Sequence, residues 1–116
     1  MSGSIRHRLG DILLAIDAID RADAAAQRHT DDDEVPGLAL ASIQFHVFTI
    51  GEAVKALPAD LRGQRPDVPW SDIARMRDLI GHHYYKLDAA IVRATIGDPL
   101  ARLRVACESL LADRPD

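Results

Sequence analysis

The chain contains one cysteine, Cys107, among its 116 residues. A single cysteine excludes an internal disulfide and any zinc site built from several cysteines, and it fits a reducing compartment. We expect Cys107 to be a small core residue. We find no apolar run near the roughly 20 residues that a membrane-spanning helix needs, and the first four residues lack the apolar core of a signal peptide. These absences predict a cytoplasmic protein without a membrane partner.

The chain also lacks an excess of positive charge. It has 14 Lys and Arg against 18 Asp and Glu, a formal net charge of −4. A global positive field for holding nucleic acid is therefore excluded, and any such contact must be local. Residues 75–86 supply a local cluster of Arg75, Arg77, Lys86 and two histidines against Asp78. From charge alone, a solvated helix face is the simpler interpretation of this cluster.

Recognisable metal-ligand spacing is missing as well. The chain has no H-x-x-x-H or E-x-x-H pair, which argues against a di-iron bundle, and we predict no metal and no cofactor. No segment shows sustained alternation of apolar and polar residues, so we predict no strands. At 116 residues and 47% hydrophobic content, the chain fits one domain, residues 1–116, with a single core.

Apolar residues three and four positions apart predict the helices. The first runs from about Ile5 to Arg28, and an acidic loop with Pro and Gly follows over residues 30–37. The second helix ends at Pro58, and residues 58–69 form a broken connector. Further helices start near Trp70, near Asp88 and at Asp98-Pro99. The predicted fold class is all-α, an up-and-down bundle of four to five helices.

The second helix has two apolar stripes. One follows Ile43, Val47 and Ile50, and the other follows Ala41, Phe45 and Phe48 on a different side. In so small a protein the second stripe is either core or a subunit interface, and a homodimer is the natural way to cover it.

The position of Arg77 requires a negatively charged partner. On a helical wheel it lies about 40° from Ile73, on the apolar side, where a guanidinium must meet an anion. A structural ion pair with an acid such as Glu52, taken as buried, and a phosphate site are equally compatible with this geometry.

His82 lies about 140° from Arg77 on an ideal helix, so the two side chains do not meet without a distortion or a second subunit. Gly81 would allow a local bend at a low cost in free energy. Alternatively, two facing copies of the helix in a dimer would let Arg and His of both chains converge. By itself a single His is more often solvent-facing than catalytic.

A family resemblance separates these alternatives. Arg77, His82 and Tyr84 follow the pattern of an arginine, four residues, a histidine, any residue and a tyrosine. This pattern resembles the signature of HepT-like HEPN proteins. Ile50-Gly-Glu-Ala-Val-Lys55 resembles a family helix, and Pro69-Trp70 resembles the pair that commonly precedes the arginine helix. The likeness covers about residues 38–96.

The resemblance implies a homodimeric HEPN bundle and metal-independent RNA cleavage, in which the ribose 2′-hydroxyl attacks the adjacent phosphate. His82 would be the general acid/base, Arg77 would bind the phosphate, and Tyr84 would orient either group. Family members are typically paired with a minimal nucleotidyltransferase antitoxin that transfers AMP to the motif tyrosine, here Tyr84. Such an anionic nucleotide would occupy the phosphate site by charge and shape.

Two residues depart from the family pattern. Asp78 stands where asparagine is frequent, and its charge would either weaken phosphate binding or hold Arg77 in place. His83 stands where a small or polar residue is usual, and it would either assist proton transfer or face solvent. The alternatives to a nuclease are a non-catalytic dimer that binds a nucleotidyltransferase, and a structural Arg77–Glu52 ion pair without a ligand.

Overall fold

The computed structural model describes residues 2–83 and 89–114. These residues form six helices and no strand. The helices are α1 (Ser2–Arg28), α2 (Val35–Ala56), α3 (Ala59–Gly63), α4 (Trp70–His83), α5 (Ala89–Ile96) and α6 (Asp98–Ala112). The predicted all-α bundle is confirmed, and α3 is the single turn that the broken connector allows.

Helices α1 and α2 form the main hairpin of the bundle. The turn between them is fixed by Asp32, whose Oδ1 accepts hydrogen bonds from the backbone N–H of Glu34 (2.7 Å) and of Val35 (2.9 Å). These bonds lower the pKa of Asp32. The predicted loop over residues 30–37 is wrong at its end, because α2 already begins at Val35. Proline fits the first helical turn, where its missing N–H costs no bond, so Pro36 does not delay the helix.

The predicted apolar stripes build the core. Leu9, Ile12 and Ile19 of α1 pack with Ile43 and Val47 of α2, all of them almost fully buried. The last helix adds its predicted stripe of Leu100, Leu103, Cys107 and Leu110. Cys107 has no exposed surface, which confirms it as a core residue, and burial raises the pKa of its thiol to about 12.

Helix α6 is fastened to α1 by charge as well as by packing. Arg104 donates from Nη1 to Asp17 (2.8 Å) and from Nη2 to Asp20 (2.7 Å), one turn apart along α1. Arg93 of α5 pairs with Asp23 of α1. Three acidic residues of α1 are therefore neutralised by the C-terminal helices.

Helix α2 is the most apolar helix described. By length and composition alone it could cross a membrane, which corrects the expectation that no segment meets those criteria. A core helix meets the same criteria, and 39% of its most apolar window is buried in the bundle. Its second stripe stays at the surface, with Phe45 62% exposed and Phe48 partly buried.

Candidate functional site

Helix α4 carries the arginine and histidine of the motif, and its start is anchored by Trp70. The indole of Trp70 is buried, and its Nε1–H donates to the backbone oxygen of Arg65 at 2.9 Å. Ile73, Met76 and Ile80 are buried along one side of the helix. This packing fixes the rotation of α4 and places Arg77 at the edge of its buried side, as the helical wheel predicts.

Arg77 rests against α2 at Gly51. A Cβ at position 51 would lie 2.8 Å from Arg77 Cγ and closer still to Arg77 Cβ, nearer than real Cβ contacts occur. Only glycine lets the two helices approach this closely with the arginine between them. The guanidinium then lies over the ring of Phe48, with Cζ 4.7 Å from the ring centroid, in a cation–π contact.

Two carboxylates hold the Arg77 guanidinium from different sides. Nε and Nη2 donate to Glu52, and Nη1 donates to Asp78 at 3.1 Å. Asp78 also accepts from Lys55 Nζ at 2.6 Å. The Arg77 side chain is 26% exposed, whereas those of Glu52 and Asp78 are 48% and 45% exposed. Of the two arrangements that the helical wheel leaves open for Arg77, the ion pair with Glu52 is present, but the expectation that Glu52 is buried is wrong.

The network shifts the pKa of Arg77 and that of Asp78 toward their charged forms. The hydrogen bond to Glu52, supported by Asp78, raises the pKa of Arg77. The hydrogen bond from Lys55, and then that from Arg77, lowers the pKa of Asp78. Both shifts favour the charged forms of Arg77 and Asp78, which contact each other.

The geometry leaves Arg77 able to bind a further anion. A guanidinium has five N–H donors, and among the described residues three of them serve Glu52 and Asp78. One N–H each on Nη1 and Nη2 remains, and such a pair matches the two oxygens of a phosphate. Nη1 also lies 3.9 Å from where a Cβ at Gly81 would stand, so the guanidinium extends along α4 toward Gly81.

His82 is exposed near the end of α4. The helix continues through Gly81 to His83 without an interruption. On a regular helix, Arg77 and His82 are offset by about 140°. Tyr84 lies outside the described residues, as do Lys86 and the predicted helix start at Asp88. The role of His83 stays a prediction.

Three contributors to the site were not assigned to it from the sequence. Phe48 was assigned to the outer apolar stripe, Gly51 had no assigned role, and Lys55 was part of a quoted motif only. The spacing of Phe48 and Lys55 from Glu52 is the signal that could have found those two, because residues three and four apart share a helix face. Gly51 directly precedes Glu52 in the sequence. Among the described residues, no group of three or more His, Cys, Asp or Glu side chains is arranged to hold a metal ion.

The site and the fold together define a helical bundle with a carboxylate-paired arginine on one helix and an exposed histidine five residues later. The family model described as Ribonuclease HepT-like matches residues 15–110, which is most of the chain. The chain belongs to this family.

Individual relatives agree with this assignment. The chain is 36% identical over 61 residues to the probable ribonuclease HepT of Thermococcus cleftensis, covering 53% of this chain and 56% of the relative. It is 39% identical over 62 residues to a candidate RNase of Caldanaerobacter subterraneus, covering 53% and 55%. A candidate RNase of Methanocaldococcus jannaschii is 49% identical over 43 residues, covering 37% and 36%. The chain thus spans about half, or less, of these relatives' lengths. No solved structure matches significantly.

Proposed function

We propose that the protein is a metal-independent endoribonuclease, the toxin of a toxin–antitoxin pair, with Arg77 and His82 as its catalytic residues. The observation that carries the proposal is Arg77 itself. It is held on α4 by Gly51, Phe48 and Glu52, yet it keeps two N–H groups for a phosphate. The family membership and the names of the relatives support RNA as the substrate.

In the proposed reaction the ribose 2′-oxygen attacks the neighbouring phosphorus, and the bond from phosphorus to the 5′-oxygen breaks. The 2′-hydroxyl proton passes to a base and the 5′-oxygen receives a proton, which leaves a 2′,3′-cyclic phosphate and a 5′-hydroxyl. An imidazole such as His82 can perform either proton transfer near neutral pH. Arg77 offsets the charge that grows on the phosphate oxygens.

A homodimer would resolve the offset between Arg77 and His82 within one regular helix. Ala41, Phe45 and Ile80 surround a shallow apolar depression of about 470 Å³ that also borders Gly81. Covering it with a second copy removes exposed aromatic surface from water. It also places a second α4 beside the first, so that His82 of the partner subunit can approach Arg77.

The dimer proposal is tested by size-exclusion chromatography with light scattering. Phe45→Glu should give a monomer that has lost cleavage activity. Val105→Glu is the matched control, since Val105 of α6 is also 62% exposed but lies outside the depression. A dimeric and active Phe45→Glu protein would contradict the proposed interface.

The proposed regulation is transfer of AMP to Tyr84 by a minimal nucleotidyltransferase antitoxin. Tyr84 is two residues after His82, and the added phosphate would compete with RNA for Arg77. Mass spectrometry after co-expression with such an enzyme, using Tyr84→Phe as the control, tests the modification.

A second candidate function is a non-catalytic dimer that binds a nucleotidyltransferase. The observation that favours it is Asp78, which places a second carboxylate on the Arg77 guanidinium. The two candidates are separated by incubating total RNA with wild type, Arg77→Ala and His82→Ala in EDTA. The nuclease proposal expects cyclic phosphate ends from wild type alone. Absence of cleavage by folded, dimeric wild type would favour the binding module.

A further inference from the structure

A second cleft opens on the flank of α2 that faces α1, and the ring of its lining residue His46 meets that of Phe45 edge-on, with centroids 5.1 Å apart. It lies between α1 and α2 and has a volume of about 550 Å³. Ala15 and Ala18 of α1 face Ala53 of α2 across it, and these small side chains leave the space between the helices open. Its polar walls are formed by Arg8, Asp11, Arg21, His46, Thr49 and Glu52.

The cleft joins the candidate site through Glu52. Glu52 of α2 lines the cleft. The same carboxylate accepts hydrogen bonds from Nε and Nη2 of Arg77, which belongs to α4. A polymer bound at Arg77 can therefore continue into the cleft past this carboxylate. A small molecule held by Arg77 alone would not need the cleft.

Charge in the cleft favours an anion. Arg8 and Arg21 are exposed, and neither has an ion-pair partner among residues 2–83 and 89–114. In contrast, Arg93, Arg102 and Arg104 are all paired with aspartates. Of the two carboxylates of the cleft, Glu52 is compensated by Arg77, whereas Asp11 has only the histidine His7 beside it, at 3.4 Å. Arg8 and Arg21 together therefore leave the cleft with an excess of positive charge over Asp11.

The spacing of the two arginines suits an extended polyanion. They are 13 residues apart on α1, which corresponds to about 20 Å along the helix axis. A single phosphate group could not contact both, whereas successive phosphates of one strand could.

His46 adds a hydrogen-bonding group between them. Its Nδ1 lies 2.7 Å from the backbone oxygen of Ser42, and a carbonyl only accepts, so we assign the proton to Nδ1. In the neutral ring Nε2 is then an acceptor, which suits a ribose 2′-hydroxyl, a group that donates as well as accepts. Thr49 already donates to the backbone oxygen of His46 at 2.9 Å, which fixes this wall of the cleft.

We propose that the α1–α2 cleft binds the backbone of the RNA segment adjoining the cleaved bond, with Arg8 and Arg21 contacting its phosphates. This inference rests on the proposed ribonuclease function and extends the RNA contact beyond Arg77. Two phosphate contacts on a single strand should contribute about 1.4 to the slope of log affinity against log salt concentration.

The test measures binding of a fluorescently labelled single-stranded RNA by anisotropy over a series of salt concentrations. His82→Ala is the background in which the RNA stays intact. Adding Arg8→Gln and Arg21→Gln should weaken binding roughly ten- to thirtyfold at 0.1 M salt and lower the slope by about 1.4. Arg28→Gln with Arg65→Gln removes two charges outside the cleft, from the end of α1 and from the connector, and it should change both quantities much less.

Cleavage by the His82-containing enzyme gives an independent readout. The Arg8→Gln and Arg21→Gln protein should show a raised KM with kcat nearly unchanged, because these arginines do not contact the reacting phosphate. Equal affinities and slopes for the two double variants, with wild type still cleaving RNA, would overturn the cleft proposal alone. If wild type neither binds nor cleaves RNA, the proposed function fails, and the cleft proposal fails with it.

Discussion

Gly51 and Arg77 touch across the α2–α4 interface so closely that no side chain fits at position 51. Gly51→Ala should therefore push α4 away from α2, at a cost of about 1–3 kcal/mol, as overpacking does. Because the same shift moves Arg77 from Phe48 and Glu52, activity should fall more than stability explains.

The matched control for this change is Gly10→Ala in α1. A Cβ at Gly10 meets nothing within 4 Å, so alanine there should stabilise the helix by roughly 0.5–1 kcal/mol. Urea unfolding and RNA cleavage should be measured for both variants. An active Gly51→Ala protein of wild-type stability would show that alanine fits at position 51 without displacing Arg77.

Asp78→Asn should improve the phosphate site. The change removes one of the two negative charges on Arg77 and releases Lys55, which now bonds Asp78. We expect KM for RNA to fall roughly two- to fivefold, the range expected for exposed ion pairs, with the largest effect at low salt. Steady-state cleavage at two salt concentrations measures this. A higher KM would mean that Asp78 positions the arginine rather than competing for it.

Arg77→Met should abolish cleavage with little loss of stability, because Glu52 is half exposed and water can solvate its carboxylate once the arginine is gone. Circular dichroism during urea unfolding measures stability. Ile73→Ala, a change at a fully buried position of the same helix, should cost about 2–5 kcal/mol and serves as the reference. A loss as large for Arg77→Met would identify the ion pair as mainly structural.

Much of the fold could be predicted from the spacing of apolar residues, because that spacing is local. Val47 and Ile50 lie on one helix face whatever surrounds them, and both are buried. The start of α2 could not be predicted, because Pro36 and Gly37 suit both a loop and a first helical turn. Likewise the partnership of Arg77 with Glu52 was one option among several. It joins residues 25 positions apart and depends on how α4 sits against α2.

Alkaline pH should destabilise the protein through Cys107. The thiol has a pKa of about 12 in the fold, above its ordinary value of 9.0, so folding favours the protonated form. The contribution of this preference to the free energy of unfolding is fully present below pH 9. It is lost as pH rises toward 12, because the thiol of the unfolded chain releases its proton first. By 1.36 kcal/mol per pH unit, the loss approaches about 4 kcal/mol.

The comparison of wild type with Cys107→Ala isolates this effect, since every other titrating group is shared. Unfolding free energies between pH 8 and pH 11 should converge as pH rises, from a lower starting value for the alanine variant. Parallel curves would mean that the thiol titrates equally in both states.

The contacts that hold Arg77 are divided between two helices, and this division limits how the motif could be transplanted. Grafting the arginine, its four following residues and the histidine onto another helical scaffold would transfer the reacting groups without Gly51 and Glu52. A designer would need a glycine followed by glutamate on the facing helix, at matching height, before the arginine adopted a defined orientation. In sequence searches, a Gly-Glu pair about 25 residues before an Arg-x4-His pattern should likewise discriminate better than the pattern alone.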